Sequence, residues 1–240
     1  MKSIKTLLLL ALVATLTSCQ FDAVLGHENG NGNVVTEERT VNQDFDKVRG
    51  SSGFDVYLTE GSENKIVVEA DENLLEFIET EISNGKLTIG SSKNIGRSKA
   101  KKVHVTYINL SSIEASSGAD VIGKSVIKSE KITLDSSSGA DLEVEVFTKE
   151  LYAETSSGAD IQVSGKATTV YANASSGSEL NAKNLNSITC SAKASSGADI
   201  IVTVQDKITA KASSGGDVRY YGDPVSVTKK GGRSGNVKKM

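Results

Sequence analysis

The sequence predicts an all-β solenoid, a single-stranded parallel β-helix of about 20 residues per coil, and three observations lead there. Ser-Ser-Gly-Ala-Asp recurs at Ser116–Asp120, Ser137–Asp141, Ser156–Asp160 and Ser195–Asp199, with near-copies at Ser51–Asp55, Ser175–Glu179 and Ser213–Asp217. From Gly118 the marker glycines step to Gly139, Gly158, Gly177, Gly197 and Gly215, at spacings of 21, 19, 19, 20 and 18. A period near twenty marks repeats that bury their apolar face only by stacking on neighbours. The flanks of each marker alternate apolar and polar with period two and carry no helical period, which leaves strands as the repeating element.

Before the repeats comes a targeting segment, residues 1–18, with Lys2 and Lys5 ahead of the apolar run Leu7–Leu16. That run is too short to span a bilayer as a helix, and it is set aside as a signal peptide. It ends in Leu16-Thr17-Ser18-Cys19, which resembles the lipobox of bacterial lipoproteins and makes Cys19 the expected lipidation site. An ordinary secretory signal with an incidental cysteine is the plainer alternative. Acyl chains such as palmitate would hold the protein on a membrane without a transmembrane helix. Residues 19–33, rich in Gly and Asn, read as a flexible tether.

Residues 34–228 form the expected β-helix domain, irregular over 34–110 and regular over 111–228. In the irregular part, Val56-Tyr57-Leu58 and Ile66-Val67-Val68 are strands around a Glu60–Asn64 turn, and Asp71–Ile78 is a short helical turn. Asn84-Gly85 between apolar runs is a hairpin signal, and Val103–Ile108 leads into the regular coils. The segment is expected to supply the first coils, with inserted hairpins capping the solenoid.

Within the repeats, Ile132, Leu151, Val170, Cys190 and Ile208 stand seven residues before their glycines, and Leu134, Ala153, Ala172, Ala192 and Ala210 stand five before. Asp135, Glu154, Asn173, Lys193 and Lys211 fall between as outward positions. A second short strand follows each corner, and a variable return segment closes the coil. Glycine suits a corner because it adopts positive φ cheaply, and Ser and Asp can bond nearby backbone. Residues 229–240 are a basic tail that caps the end.

Composition narrows the function. A net charge of −3 gives no case for nucleic-acid binding. With Cys19 used for lipid, Cys190 is unpaired and is expected to be a small buried hydrophobe. The two histidines, His27 and His104, cannot assemble a nucleophile–base constellation, and no metal-hydrolase cluster is visible.

The segments Phe45-Asp46-Lys47-Val48, Asp71-Glu72-Asn73-Leu74-Leu75, Asn84-Gly85-Lys86-Leu87 and the Ser-Gly-Ala-Asp corners resemble the bacterial family called putative auto-transporter adhesin, head GIN domain. The resemblance covers about Phe45 to Gly222. It implies a right-handed β-helix, pectate-lyase-like in shape but without those enzymes' catalytic residues, an adhesive role, and an exported lipoprotein. The expected location is the cell envelope of a Gram-negative bacterium, lipid-anchored at the outer membrane.

Two sets of residues are candidate sites. Asp120, Asp141, Asp160, Glu179, Asp199 and Asp217 should stack in a column, where two charges about 5 Å apart repel by about 0.8 kcal/mol in water. Hydrogen bonds from serines and backbone amides are the plain relief; bridging by Ca²⁺ is the functional one, although the spacing does not match Ca²⁺-binding nonapeptides. Tyr152 and Tyr171 share an outward position on adjacent coils and form either a sugar platform or a stabilising cross-strand pair. The leading expectation is a non-enzymatic surface lipoprotein, without cofactor, whose partners are the membrane, a glycan or a surface protein, or a second copy of itself. A polysaccharide-active enzyme using a row such as Lys193 and Lys211, and a purely structural self-associating envelope protein, are the alternatives.

Overall fold

The computed structural model describes residues 27–231 and 234–240. The signal segment, Cys19 and the first part of the tether therefore lie outside the described residues. In chain order the strands are β1 (Val34–Arg39), β2 (Lys47–Gly50), β3 (Asp55–Glu60), β4 (Lys65–Asp71), β5 (Ile78–Ser83), β6 (Lys86–Ser91), β7 (Lys101–Tyr107), β8 (Ser112–Ala115) and β9 (Asp120–Gly123). They continue as β10 (Ile127–Ser137), β11 (Asp141–Ser156), β12 (Asp160–Ala174), β13 (Glu179–Ala194), β14 (Asp199–Ala212), β15 (Asp217–Tyr221), β16 (Ser226–Gly231) and β17 (Asn236–Lys239). Among the described residues the one helical element, Glu72–Phe77, is a 3-10 turn at the expected place.

The regular half is a parallel stack, β10 on β11, β12, β13 and β14, in register across each corner. Ile132, Leu151, Val170, Cys190 and Ile208 align in one inward column, all buried, and Leu134, Ala153, Ala172, Ala192 and Ala210 in the next. Removing an aliphatic side chain of this size from water contributes about 1.5–3 kcal/mol, so each coil is held mainly by its neighbours' columns. The return segments are more regular than expected. From β11 to β14 a single strand of 14 to 16 residues runs from one corner to the next and absorbs the bend. Gly165, at φ +105° beside a register shift, makes that bend in β12.

Each corner is a tight turn of the primed type, with two consecutive left-handed residues. The glycine was expected there; the serine before it was not. Ser52, Ser117, Ser138, Ser157, Ser176, Ser196 and Ser214 have φ between 51° and 60°, and the following glycines between 66° and 78°. Backbone groups close the turns, as in Ala119 N–H to Ser116 O at 3.2 Å and Ala198 N–H to Ser195 O at 3.2 Å. A second backbone bond links each corner to the next, from Gly118 N–H to Ser138 O, Gly139 to Ser157, Gly158 to Ser176 and onward. The repeat is thus a hydrogen-bonded ladder of corners.

The irregular coils hold a topological surprise. β2 pairs with both β6 and β8, and β3 with both β7 and β9, all parallel. The coil made first in sequence therefore lies between the β6–β7 coil and the β8–β9 coil. Val103–Ile108, expected to lead directly into the repeats, instead belongs to the outermost coil. That coil is closed over by antiparallel pairing of β4 with β7, β1 with β4, and β5 with β6 through the Asn84-Gly85 turn.

Two expected boundaries shift. The part of the tether seen here is docked: Glu28 bridges Ile95, Gly30 N–H donates to Arg97 O, and Asn31 N–H to Asn73 Oδ1 at 2.8 Å. Its anchor is Asp71, 1% exposed, whose carboxylate accepts from the N–H groups of Gly32, Lys99 and Ala100. The basic tail is a last coil, with β16 on β14 and β17 on β15. There Lys229 takes the inward position aligned with Ala210, donates to Val237 O at 3.2 Å, and lies 5.3 Å from the Tyr220 ring. A charge on the inward row of an edge strand disfavours addition of a further coil.

Candidate functional site: the outward columns

Because the coils are in register on both sides of each corner, each outward position there becomes a column running along the solenoid, one side chain per strand, about 4.8 Å apart. The corner carboxylates form one such column as expected: Asp120, Asp141, Asp160, Glu179, Asp199 and Asp217 pair in series. The out-of-order coil adds Asp55 beside Asp120, a neighbour that a linear reading of the repeats does not supply. Among the described residues no serine hydroxyl bonds these carboxylates. Arg219 reaches Asp199 at 3.2 Å and Asp217 at 3.9 Å, and Glu179 N–H donates to Asp160 Oδ1 at 3.2 Å. Partial burial, and then repulsion from Asp141 and Asp55, push the Asp120 carboxyl above its usual range. Among the described residues no three His, Cys, Asp or Glu side chains converge as a metal site. A ladder spreads its carboxylates along an axis, whereas a cation of this kind wants six to eight oxygens around one point.

Tyr152 and Tyr171 meet as expected, with ring centroids 4.6 Å apart and planes 17° apart. Lys131 covers the other side of Tyr152, its Nζ 4.3 Å from the centroid. The tyrosines therefore present mainly their edges, and a sugar platform needs an open face. Only Tyr171, 38% exposed, keeps one side of its ring uncovered by this stack.

Beside the tyrosines lies a column that alternation alone did not flag. On the strand face before the corners, Glu114, Asp135, Glu154, Asn173, Lys193, Lys211 and Lys230 align in register from β8 to β16. Acids occupy one half, lysines the other, and a neutral amide the middle. The next column reads Ser112, Thr133, Tyr152, Tyr171, Ser191, Thr209 and Thr228. Burial, then repulsion from Glu154 and Glu114, push the Asp135 carboxyl up, while Glu114 is paired with Lys86 at 2.5 Å and Arg49 at 3.8 Å. Among the described residues, Asp135, Glu154, Lys193, Lys211 and Lys230 lack an oppositely charged partner within 4.0 Å. The sequence signal was the identity of the polar residue four before each glycine, compared down the repeats rather than along them.

Elsewhere, a groove of about 730 Å³ runs over the return segments, where exposed Phe147 and Ile188 flank Lys166. His104 stacks on Tyr57 at 5.2 Å and contacts Glu69 at 3.2 Å, and Cys190 is buried with its thiol pushed up to about 12.

Over residues 44–224 the chain matches the family described as putative auto-transporter adhesin, head GIN domain. A solved putative adhesin from Bacteroides fragilis superposes with a TM-score of 0.81 at 18% identity, covering 89% of this chain and all of that one. A putative adhesin from Parabacteroides distasonis gives 0.73 at 18% identity, and a putative lipid binding protein from the same species 0.69 at 19%; each covers 90% of this chain and 100% of its own. At such identities the likeness is one of fold. No curated protein matches the chain. On the strength of the match over most of its length, the chain belongs to the putative auto-transporter adhesin, head GIN domain family.

Proposed function

We propose that the protein is a non-enzymatic, envelope-located binding module of adhesin type, working through the strand face that carries Tyr171, Lys193 and Lys211. The observation that carries this reading is the in-register column, which fixes outward side chains at strand spacing on a rigid core. Binding by a preorganised flat face saves the ordering cost that a flexible loop incurs. Family membership and the neighbours described as putative adhesins support the same reading.

The location belongs to the proposal as well: Leu16-Thr17-Ser18-Cys19 supports lipid anchoring at Cys19, in the outer membrane of a Gram-negative envelope. Metabolic labelling with palmitate should mark the wild type and not Cys19→Ser. Binding is tested by screening the purified chain against glycans and matrix proteins, with and without Ca²⁺. Saturable binding that Tyr171→Ala or Lys211→Ala weakens is expected. Failure to bind anything in either condition would sink the adhesin reading.

A further inference from the structure

The column that changes sign is ordered about its own midpoint. Glu154 and Lys193 lie one strand from Asn173, Asp135 and Lys211 two strands, and Glu114 and Lys230 three. Such an order is complementary to its own reverse. When two copies are laid face to face with solenoid axes reversed, about a two-fold axis along β12, Glu154 of one copy faces Lys193 of the other. Asp135 then faces Lys211, and Glu114 faces Lys230. The symmetry repeats each pair, as an isologous contact requires. We propose that this face docks on the same face of a second copy of the chain, with the two solenoids antiparallel.

Several observations favour a second copy over another partner. An anionic polymer would use the three lysines and be repelled by the three acids, whereas self-pairing uses both halves. Of the six charges in the column, Asp135, Glu154, Lys193, Lys211 and Lys230 are unpaired among the described residues and so free to bond across; only Glu114 is engaged, with Lys86 and Arg49. Tyr171, 38% exposed and in the same strand as Asn173, meets its own counterpart at the centre. An aromatic anchor within a charged rim is a common interface anatomy. One like-charge encounter, Lys131 opposite Lys207, falls at the border of the face, where both are exposed to screening water.

The size of the face sets the strength. Seven strands at about 4.8 Å and about five residues at 3.3 Å give roughly 550 Å² per copy. That is less than the roughly 800 Å² per partner of a standard interface, so the pair should be weak and sensitive to salt. The chain enters the fold at the capped end, through Glu28–Asn33. Antiparallel pairing therefore sends the two entering segments to opposite ends, as copies carried on two facing surfaces would need.

Sedimentation of the purified chain at low ionic strength and high concentration tests the idea. A species of twice the chain mass is expected, dispersing in molar salt, where the Debye length falls to about 3 Å. Two charge-reversed variants decide the geometry: Lys193→Glu with Lys211→Glu, and Asp135→Lys with Glu154→Lys. Each alone should be monomeric with an unchanged circular dichroism spectrum, and a one-to-one mixture should form a heterodimer. Should the half-buried Asp135 site not tolerate lysine, the exposed exchange of Lys193→Glu against Glu154→Lys repeats the test. A wild type that stays monomeric, a variant that still pairs with itself, or a mixture that stays monomeric overturns the proposal. Self-docking uses the same face as the proposed ligand binding, so the two readings are separated by the wild type alone: a wild type that stays monomeric yet binds in the screen overturns self-docking and keeps the adhesin reading, and one that dimerises yet binds nothing does the reverse.

Discussion

Replacing Gly165 with alanine should destabilise the protein several times more than replacing Gly158, although both glycines have positive φ. At Gly158, φ +69°, an added methyl meets nothing within 4 Å, so only the left-handed backbone opposes it. That strain is about 1–2 kcal/mol, offset by about 0.4–1 kcal/mol because alanine also restricts the unfolded chain, leaving a loss near 1 kcal/mol. At Gly165, φ +105°, the methyl would collide with the Val146 carbonyl oxygen and come within 3.1 Å of the Val146 carbonyl carbon and amide nitrogen. These are backbone atoms of the neighbouring coil and cannot swing aside. Overpacking of about 1–3 kcal/mol then adds to backbone strain of similar size, and after the same unfolded-chain offset the loss is about 2–5 kcal/mol. Gly222 stands in the same relation to Val204 and serves as an internal replicate. Urea midpoints for the three variants, with their slopes, measure the contrast. Equal losses at Gly158 and Gly165 would refute the claim that corners are limited by φ alone while bends are limited by coil-to-coil contact.

Other expectations follow from single groups. Asp71→Ala removes the acceptor for three backbone N–H groups, should cost on the order of 3 kcal/mol, and should open Glu28–Asn33 and the segment near Lys99 to protease. Burial raises the Asp71 pKa, but those three N–H groups and Lys99 outweigh it and hold the carboxyl below its usual range. Its contribution is therefore present above the unfolded carboxylate pKa and is lost on acidification. Asp120 is the opposite case: its folded pKa is raised, so the stability tied to it is present at acid pH and lost as pH rises through the folded value. Asp120→Asn should thus stabilise the protein at neutral pH and lose that advantage below the carboxylate range, as followed by urea titrations at two pH values. Cys190, 4% exposed with its thiol pushed up to about 12 by burial, should resist alkylation in the native protein and react at once in denaturant.

What the sequence made legible was whatever repeats along the chain. Inward columns such as Ile132 to Ile208, the buried Cys190, the Tyr152–Tyr171 stack and the carboxylate column all follow from period two within strands and a period near twenty between corners. Insertion of the β2–β3 coil between its later neighbours was not legible, because parallel pairing leaves no mark of which strand comes next in space. The left-handed serines were hidden for a different reason. Serine tolerates many backbone conformations, and only the demand of a two-residue primed turn selects this one. Docking of Glu28–Asn33 rests on backbone groups and the Asp71 carboxylate, which leave no hydrophobic pattern to detect. The basic tail concealed a coil because Lys229 stands where the pattern calls for an apolar residue. Five of the seven residues of the ordered charge column were already read from the sequence as outward positions, but alternation records only that they point outward, and the column's meaning lies in their order down the stack.

The most direct test separates corners from faces. With a ligand from the glycan and matrix-protein screen, two variants should be compared with the wild type: Asp141→Asn with Asp160→Asn at the corners, and Tyr171→Ala with Lys193→Ala and Lys211→Ala on the strand face. If corners are folding devices and the face is the binding surface, the corner variant keeps wild-type affinity. The face variant should lose affinity at least tenfold with its urea midpoint little changed. Loss of binding on the corner change, with binding retained by the face variant, would contradict the account and return the Ser-Ser-Gly-Ala-Asp motif to the status of a site.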